Sequence, residues 1–218
     1  MTLPRTLIIA GAFADWTLDG VRRTVLAAEA AGIEAIVLPD GIAPAQGGEG
    51  WPDALILIGW LAAQTERIRL LGRVSSLGHQ PYNLARRLAS LDLISHGRAG
   101  WVVAEDESND AFAAFSGNMR LAGVDLAGRQ AEFETVVQGL WRSWDEDALV
   151  LDKAGGRFFR PEAMHVLAHE GDHFSVRGPL NVMRSKRGAP DLLHGRELAG
   201  AQAVESPEAA QALIGGAR

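Results

Sequence analysis

No cysteine occurs in the chain. That excludes a disulfide framework and any thiolate metal site, and nothing in the composition asks for an oxidising compartment, so the cytoplasm is the expected location. Tyrosine appears once and aromatic residues make up only 6% of the 218 residues. Positive charge is also in short supply: 21 Lys and Arg face 27 Asp and Glu, a net charge of −6. Such a chain offers no broad attraction to phosphate backbones or anionic lipid, which argues against nucleic-acid and membrane partners. Long hydrophobic runs are missing as well. The N-terminal stretch Leu7 to Phe13 is too short to span a membrane and is read as a buried strand.

What is present is a rhythm. Leu7 to Ala12 is a short apolar run of the kind expected for a strand covered on both faces. Leu18, Val21, Val25 and Ala28 then recur at helical spacing from a cap expected at Asp19 to a stop at Gly32. Ala35 to Leu38, Ile68 to Val74 and Ala99 to Ala104 repeat the strand pattern, with helices expected over 53–65 and 83–95 between them. Strands start about every thirty residues with a helix in each gap, which is the pattern of linked βαβ units and a parallel sheet. The β-branched runs exclude a helical repeat, and the helices exclude an all-β fold.

After Ala104 the rhythm breaks until Ala189-Pro190-Asp191-Leu192-Leu193, which reads as a fifth parallel strand. The intervening residues, 105–188, form an insertion with an amphipathic helix whose apolar side carries Phe133, Val136, Val137, Leu140, Trp141 and Trp144, followed by a Gly- and His-rich stretch from Gly155 to Pro179. The Ala-rich segment from Arg196 to Ala212 is read as helical, interrupted at Pro207. The helix that starts after Asp53 is apolar nearly all the way round, so a second copy of the chain in a homodimer, or the insertion, is expected to cover its outer side.

His165, His169 and His173, four residues apart, would converge only on a continuous helix. Gly171 argues against one, and no metal site is expected. The glycines of 46–50 lack a Lys and a preceding strand, so they read as a loop rather than a phosphate motif. Glu105-Asp106-Glu107 could serve acid–base chemistry or a hard cation near the strand end, although such a run is more often a solvated loop.

The segment His79-Gln80-Pro81-Tyr82-Asn83-Leu84-Ala85-Arg86-Arg87-Leu88-Ala89-Ser90-Leu91-Asp92, continuing through Gly97-Arg98-Ala99-Gly100-Trp101, resembles the luciferase-like flavin-dependent monooxygenases, in particular their nitrilotriacetate and dibenzothiophene-sulfone branch. Leu140 to Trp144 and Gly171 to Asn181 agree with the same branch. The resemblance implies an α/β fold of TIM-barrel type, here incomplete because about five strands stand in for eight. It implies one luciferase-like domain over residues 1–218. It also implies a monooxygenase that uses oxygen and reduced FMN, supplied by a separate flavin reductase, on a small organic substrate. By the same resemblance Asp40 lies near the flavin ring, Ser75 and Ser76 bond the flavin or its phosphate chain, and Phe13 and Trp101 pack on the ring. Val103 and Ala104 fall where the branch keeps polar flavin contacts, and Glu197 falls where it keeps a phosphate-binding Ser. Those departures imply an alternative: a non-catalytic flavin-binding or partner subunit with a degenerate site. No catalytic residue is assigned.

Overall fold

The computed structural model of the chain describes residues 5–11, 13–40, 51–104 and 125–216. The described residues fall into two compact units, one of 5–78, 98–104 and 191–216 and the other of 79–97 and 125–190, apart from the gaps just given.

The first unit is built on six parallel strands: β1 (Thr6–Ile9), β2 (Ala35–Pro39), β3 (Arg69–Val74), β4 (Ala99–Val103), β9 (Asp191–Leu193) and β10 (Gln202–Val204), the intervening labels belonging to the second unit. Their order across the sheet is β10-β1-β2-β3-β4-β9, and every pairing is parallel. The strand at 202–204 is a sixth member where the sequence suggests helix. It adds to the free edge of β1, with Leu7 opposite Gln202 and Ile9 opposite Val204. The helix near the C-terminus, α5 (Pro207–Gly216), starts later, with Pro207 as its first residue, where a missing amide hydrogen costs nothing.

Two helices of this unit follow their strands. Helix α1 (Leu18–Ala30) is capped by Thr17, whose hydroxyl accepts from Gly20 N at 3.1 Å, rather than by Asp19. Gly32, with φ +75°, takes the left-handed turn that ends it. Helix α2 (Ala54–Ala62) is capped by Asp53, which accepts from Leu55 N and Ile56 N. It lies on one face of the sheet, because a Cβ on Gly72 would stand 3.2 Å from Ile58 Cδ1 and 3.5 Å from Ala54 Cβ.

The opposite, inner face of the sheet carries a cluster of Ala35, Val37, Leu71, Val102 and Leu193, completed by Leu198 from the short 3₁₀ turn Gly195–Leu198, with Ile8 and Ala201 against it. The segment that joins the two edge strands therefore adds its own apolar residue to the inner-face cluster. Among the described residues the sheet has six strands, two short of the eight that close a TIM-type barrel.

Buried charge holds the end of the sheet away from the strand carboxyl termini. Arg98 is 5% exposed and donates to Thr65 Oγ1 (2.8 Å), Ile68 O (3.1 Å), Ala62 O (3.0 Å) and Thr65 O (3.0 Å), tying the last turn of α2 to the start of β3. Nearby the carboxylate of Glu29 accepts the amides of Glu66, Arg67 and Ile68. Burial alone would raise its pKa, but these three amides, with Arg67, hold it below the ordinary glutamate range.

The second unit pairs two helices, α3 (Pro81–Ile94) and α4 (Leu126–Trp141), which bury Leu84, Ala85 and Leu88 on one and Phe133, Val136, Val137 and Leu140 on the other. The indole of Trp141 donates to Ala85 O at 3.0 Å across that contact. Two antiparallel hairpins follow: β5 (Leu149–Asp152) with β6 (Arg157–Phe159), and β7 (His169–Glu170) with β8 (Ser175–Val176). Trp144 lies beyond the helix its spacing suggested, in a bridge with Met164. Among the described residues no helix is long and apolar enough to cross a membrane.

Candidate functional site

Parallel β/α folds gather their chemistry at the carboxyl ends of the strands, where loops leave the sheet and helices begin. The register fixes which residues meet there. Pro39 is opposite Arg73 and Val74 is opposite Val103, so Asp40, Ser75 and Ala104, each just past its strand, emerge side by side from three neighbouring strands.

Asp40 Oδ1 accepts from Ala54 N at 3.2 Å and so anchors the start of α2 alongside the cap from Asp53. Ser75 is 4% exposed and its Oγ accepts from Leu77 N at 3.0 Å, shaping the turn, while Ser76 is fully buried. These three residues are brought together at one end of the sheet.

The fourth strand behaves differently. Side chains alternate across a strand, and Val102 belongs to the inner cluster, so Trp101 and Val103 face the α2 side. Trp101 is fully buried, and its indole N–H donates to Val74 O at 2.8 Å. Its ring packs on the α2 side of the sheet, and its N–H reaches the carbonyl of the residue directly before Ser75. Ala104 offers only its backbone, the amide approaching Val74 O at 3.4 Å.

Two features at this end carry no signal of a familiar motif. Arg73 is half-buried on the same face as Leu71, level with Pro39 and Val102, and puts a guanidinium on the inner face near the strand ends. A charged residue inside the apolar run 70–74 is the clue that marks it. Trp51 packs edge-on to Phe13 (centroids 5.2 Å apart) and near Trp16 (6.1 Å), and its indole donates to Gly11 O at 2.8 Å while that of Trp16 donates to Ala10 O at 2.8 Å. Three of the chain's scarce aromatics thus surround the end of β1.

After β9 the carboxylate of Glu197 accepts from His194 N at 2.7 Å and meets Arg196 Nε at 3.3 Å. The His194 amide, with Arg196, holds its pKa below the usual range, so it is an anion at neutral pH. The backbone donor at the start of this turn is thereby engaged by the chain's own carboxylate.

The three regularly spaced histidines do not converge. His165 pairs with Asp145 at 3.0 Å, His169 with Glu132 at 3.0 Å, and the ring of His173 lies beside Phe174. Among the described residues no group of three or more His, Cys, Asp or Glu could hold a metal. The run Glu105-Asp106-Glu107 and the glycines of 46–50 lie outside the described residues.

The geometry up to this point defines a β/α protein built on a parallel sheet, with Asp40, Ser75 and Ser76 at the carboxyl ends of neighbouring strands. Comparison with known proteins makes the class specific. The Luciferase-like monooxygenase family matches residues 8–201, and the chain belongs to that family. It is 37% identical over 195 residues to dibenzothiophene-sulfone monooxygenase of Rhodococcus erythropolis, covering 79% of this chain and 43% of the relative. It is also 37% identical over 166 residues to nitrilotriacetate monooxygenase component A of Aminobacter aminovorans, covering 73% and 37%. Among solved structures it superposes on a riboflavin lyase, crystallised with modified FMN and riboflavin, with TM-score 0.77 and 29% identity, covering 89% of this chain and 50% of that one. The chain thus spans well under two thirds of the length of the proteins it matches.

Proposed function

We propose that residues 1–218 form one luciferase-like domain carrying the flavin cleft of a monooxygenase that uses reduced FMN, supplied by a separate flavin reductase, and oxygen on a small organic substrate. The observation that carries this reading is the meeting of Asp40 with Ser75 and Ser76 at the carboxyl ends of adjacent parallel strands. Asp40 and the two serines would hold the ring end of the cofactor, and Arg73 adds a cation on the inner face. Bound there, the flavin would supply the oxygen-activating chemistry. The protein's share is to orient the ring and to exclude water, for which the fully buried Ser76 and the aromatic group around Trp51 are suited.

The phosphate end fits less well. Glu197 already engages the His194 amide, and an anionic group placed there would meet its charge. This supports the second reading, a flavin-binding or partner subunit without turnover. Titration of the purified chain with FMN separates the two. The wild type should take up FMN, and Glu197→Ser should bind it about tenfold more tightly by removing one opposed charge. Oxygenation in the presence of a reductase marks the enzyme, and FMN uptake without oxygenation marks the second reading. If neither form binds FMN while remaining folded, the enzyme reading is lost for this chain on its own, and so is the flavin-binding form of the second reading.

The reductase partner is supported by the relative named as component A. A homodimer and a cytoplasmic location belong to the same proposal. Ile56 is 65% and Trp60 38% exposed on the outer side of α2, an apolar face suited to a second copy. Sedimentation should find a dimer that Trp60→Lys converts to monomer.

A further inference from the structure

The second unit holds a cavity of about 450 Å³ walled by Trp144, Leu149, Leu151 and Met183 and bordered by Arg184 and Lys186. None of the residues discussed at the strand ends lines it. Its size lies within the range of small-molecule sites, as does its make-up of apolar walls with a few charges.

The walls are fixed. The ring of Trp144 packs edge-on to Phe159 with centroids 5.6 Å apart, and its indole N–H donates to Leu180 O at 2.7 Å. With its one polar atom so engaged, Trp144 offers the cavity carbon surface only. Leu151 is 59% exposed and sits at φ +52°, where the β5–β6 register shifts. Leucine is rarely found in the left-handed region, and exposing it there gains no packing.

The charged border is equally well anchored. Ser185, between the two cations, is hydrogen-bonded to Asp92, a carboxylate only 3% exposed on α3. Its Oγ also lies 3.3 Å from Gly188 O and accepts from Arg187 N at 3.3 Å. The turn is therefore pinned, and it presents Arg184 and Lys186 two residues apart. Neither cation has a hydrogen bond or ion pair among the described residues. Of the carboxylates at the border, Asp145 is engaged by His165 at 3.0 Å, which leaves Glu146 against two unpaired cations.

We propose that this cavity binds a small amphipathic anion, with an alkyl or aryl body against Trp144, Leu149, Leu151 and Met183 and a carboxylate or sulfonate head on Arg184 and Lys186. The apolar walls exclude a bare inorganic anion as a tight ligand, since its hydration would be lost without compensation. The cation pair selects an anionic head over a neutral one. The proposal is independent of flavin binding at the strand ends.

Fluorescence titration of the full chain with anilinonaphthalene sulfonate tests it. One probe should bind per chain, with decanoate displacing it and decanol failing to do so. The double variant Arg184→Gln/Lys186→Gln should weaken probe binding about tenfold or more, and Arg184→Lys should stay within about threefold. Glu146→Gln should tighten binding about twofold. Unchanged affinity in the double variant, or displacement by decanol as effective as by decanoate, overturns the proposal. These positions lie at the cavity border, and far-UV circular dichroism on each variant confirms that the fold is retained.

Discussion

The two units of the chain bury their apolar residues in opposite ways. In the parallel sheet, Leu7, Ile36, Leu38, Leu70 and Leu71 are essentially inaccessible, and the strands that carry them, β1, β2 and β3, each have a neighbour on either side. In the helix–hairpin unit, the helix pair is closed but the hairpins expose Val150 (40%), Leu151 (59%), Phe158 (55%) and Val166 (52%). A parallel strand must be covered on both faces, so its sequence is committed to the core. A two-stranded hairpin has free faces and edges, so its side chains are available for contact with other molecules.

The comparison can be broken most severely at Arg98. Arg98→Ala should destabilise the chain by about 3–5 kcal/mol, because three main-chain carbonyls and a hydroxyl lose a buried charged donor. Urea unfolding measures this, and a loss under about 1 kcal/mol would show that the sheet unit is not closed in the way described. In the other unit, Trp141→Phe removes one hydrogen bond to Ala85 O and should cost about 1 kcal/mol in the same assay.

A pH series sharpens the contrast further. Glu132 accepts from His169 and from the amides of His173 and Phe174, contacts that outweigh its burial and hold its pKa below the ordinary glutamate range. A carboxylate with a depressed folded pKa contributes stability above its unfolded value and loses it as the pH falls through about 4 and below. The stability difference between wild type and Glu132→Gln should therefore be constant near neutrality and shrink on acidification. Parallel pH curves for the two proteins would refute that role. The smallest effect is expected at Val150, where Val150→Thr should shift stability by less than about 0.5 kcal/mol by thermal unfolding.

The periodic half of the molecule could be read directly from its residues. Four strands and three helices follow from apolar runs and helical spacing, and the fifth strand from Asp191-Leu192-Leu193. Gln202-Ala203-Val204 escaped because alanine and glutamine favour helix locally, whereas its strand state is imposed by pairing with β1 across the whole length of the chain. The hairpins carry no clean alternation, so nothing local announces them. That Asp40, Ser75 and Ser76 stand at the strand ends follows from the sequence, because Asp40 and Ser75 each directly follow a strand and Ser76 comes next. Alternation from Val102 turns Trp101 to the α2 side, and Trp51 carries no local signal because its partners Phe13 and Trp16 are distant in sequence.

The pairing of Leu7 with Gln202 also dictates an order of assembly. Contacts between residues so far apart along the chain form late, after the cost of closing a very long loop has been met by everything in between. Until then the outer edge of β1 stands open as a template for other strands, and the inner-face cluster lacks Leu198. A folding chain is therefore most prone to self-association before β10 docks, and chaperones or dilution should matter most at that moment.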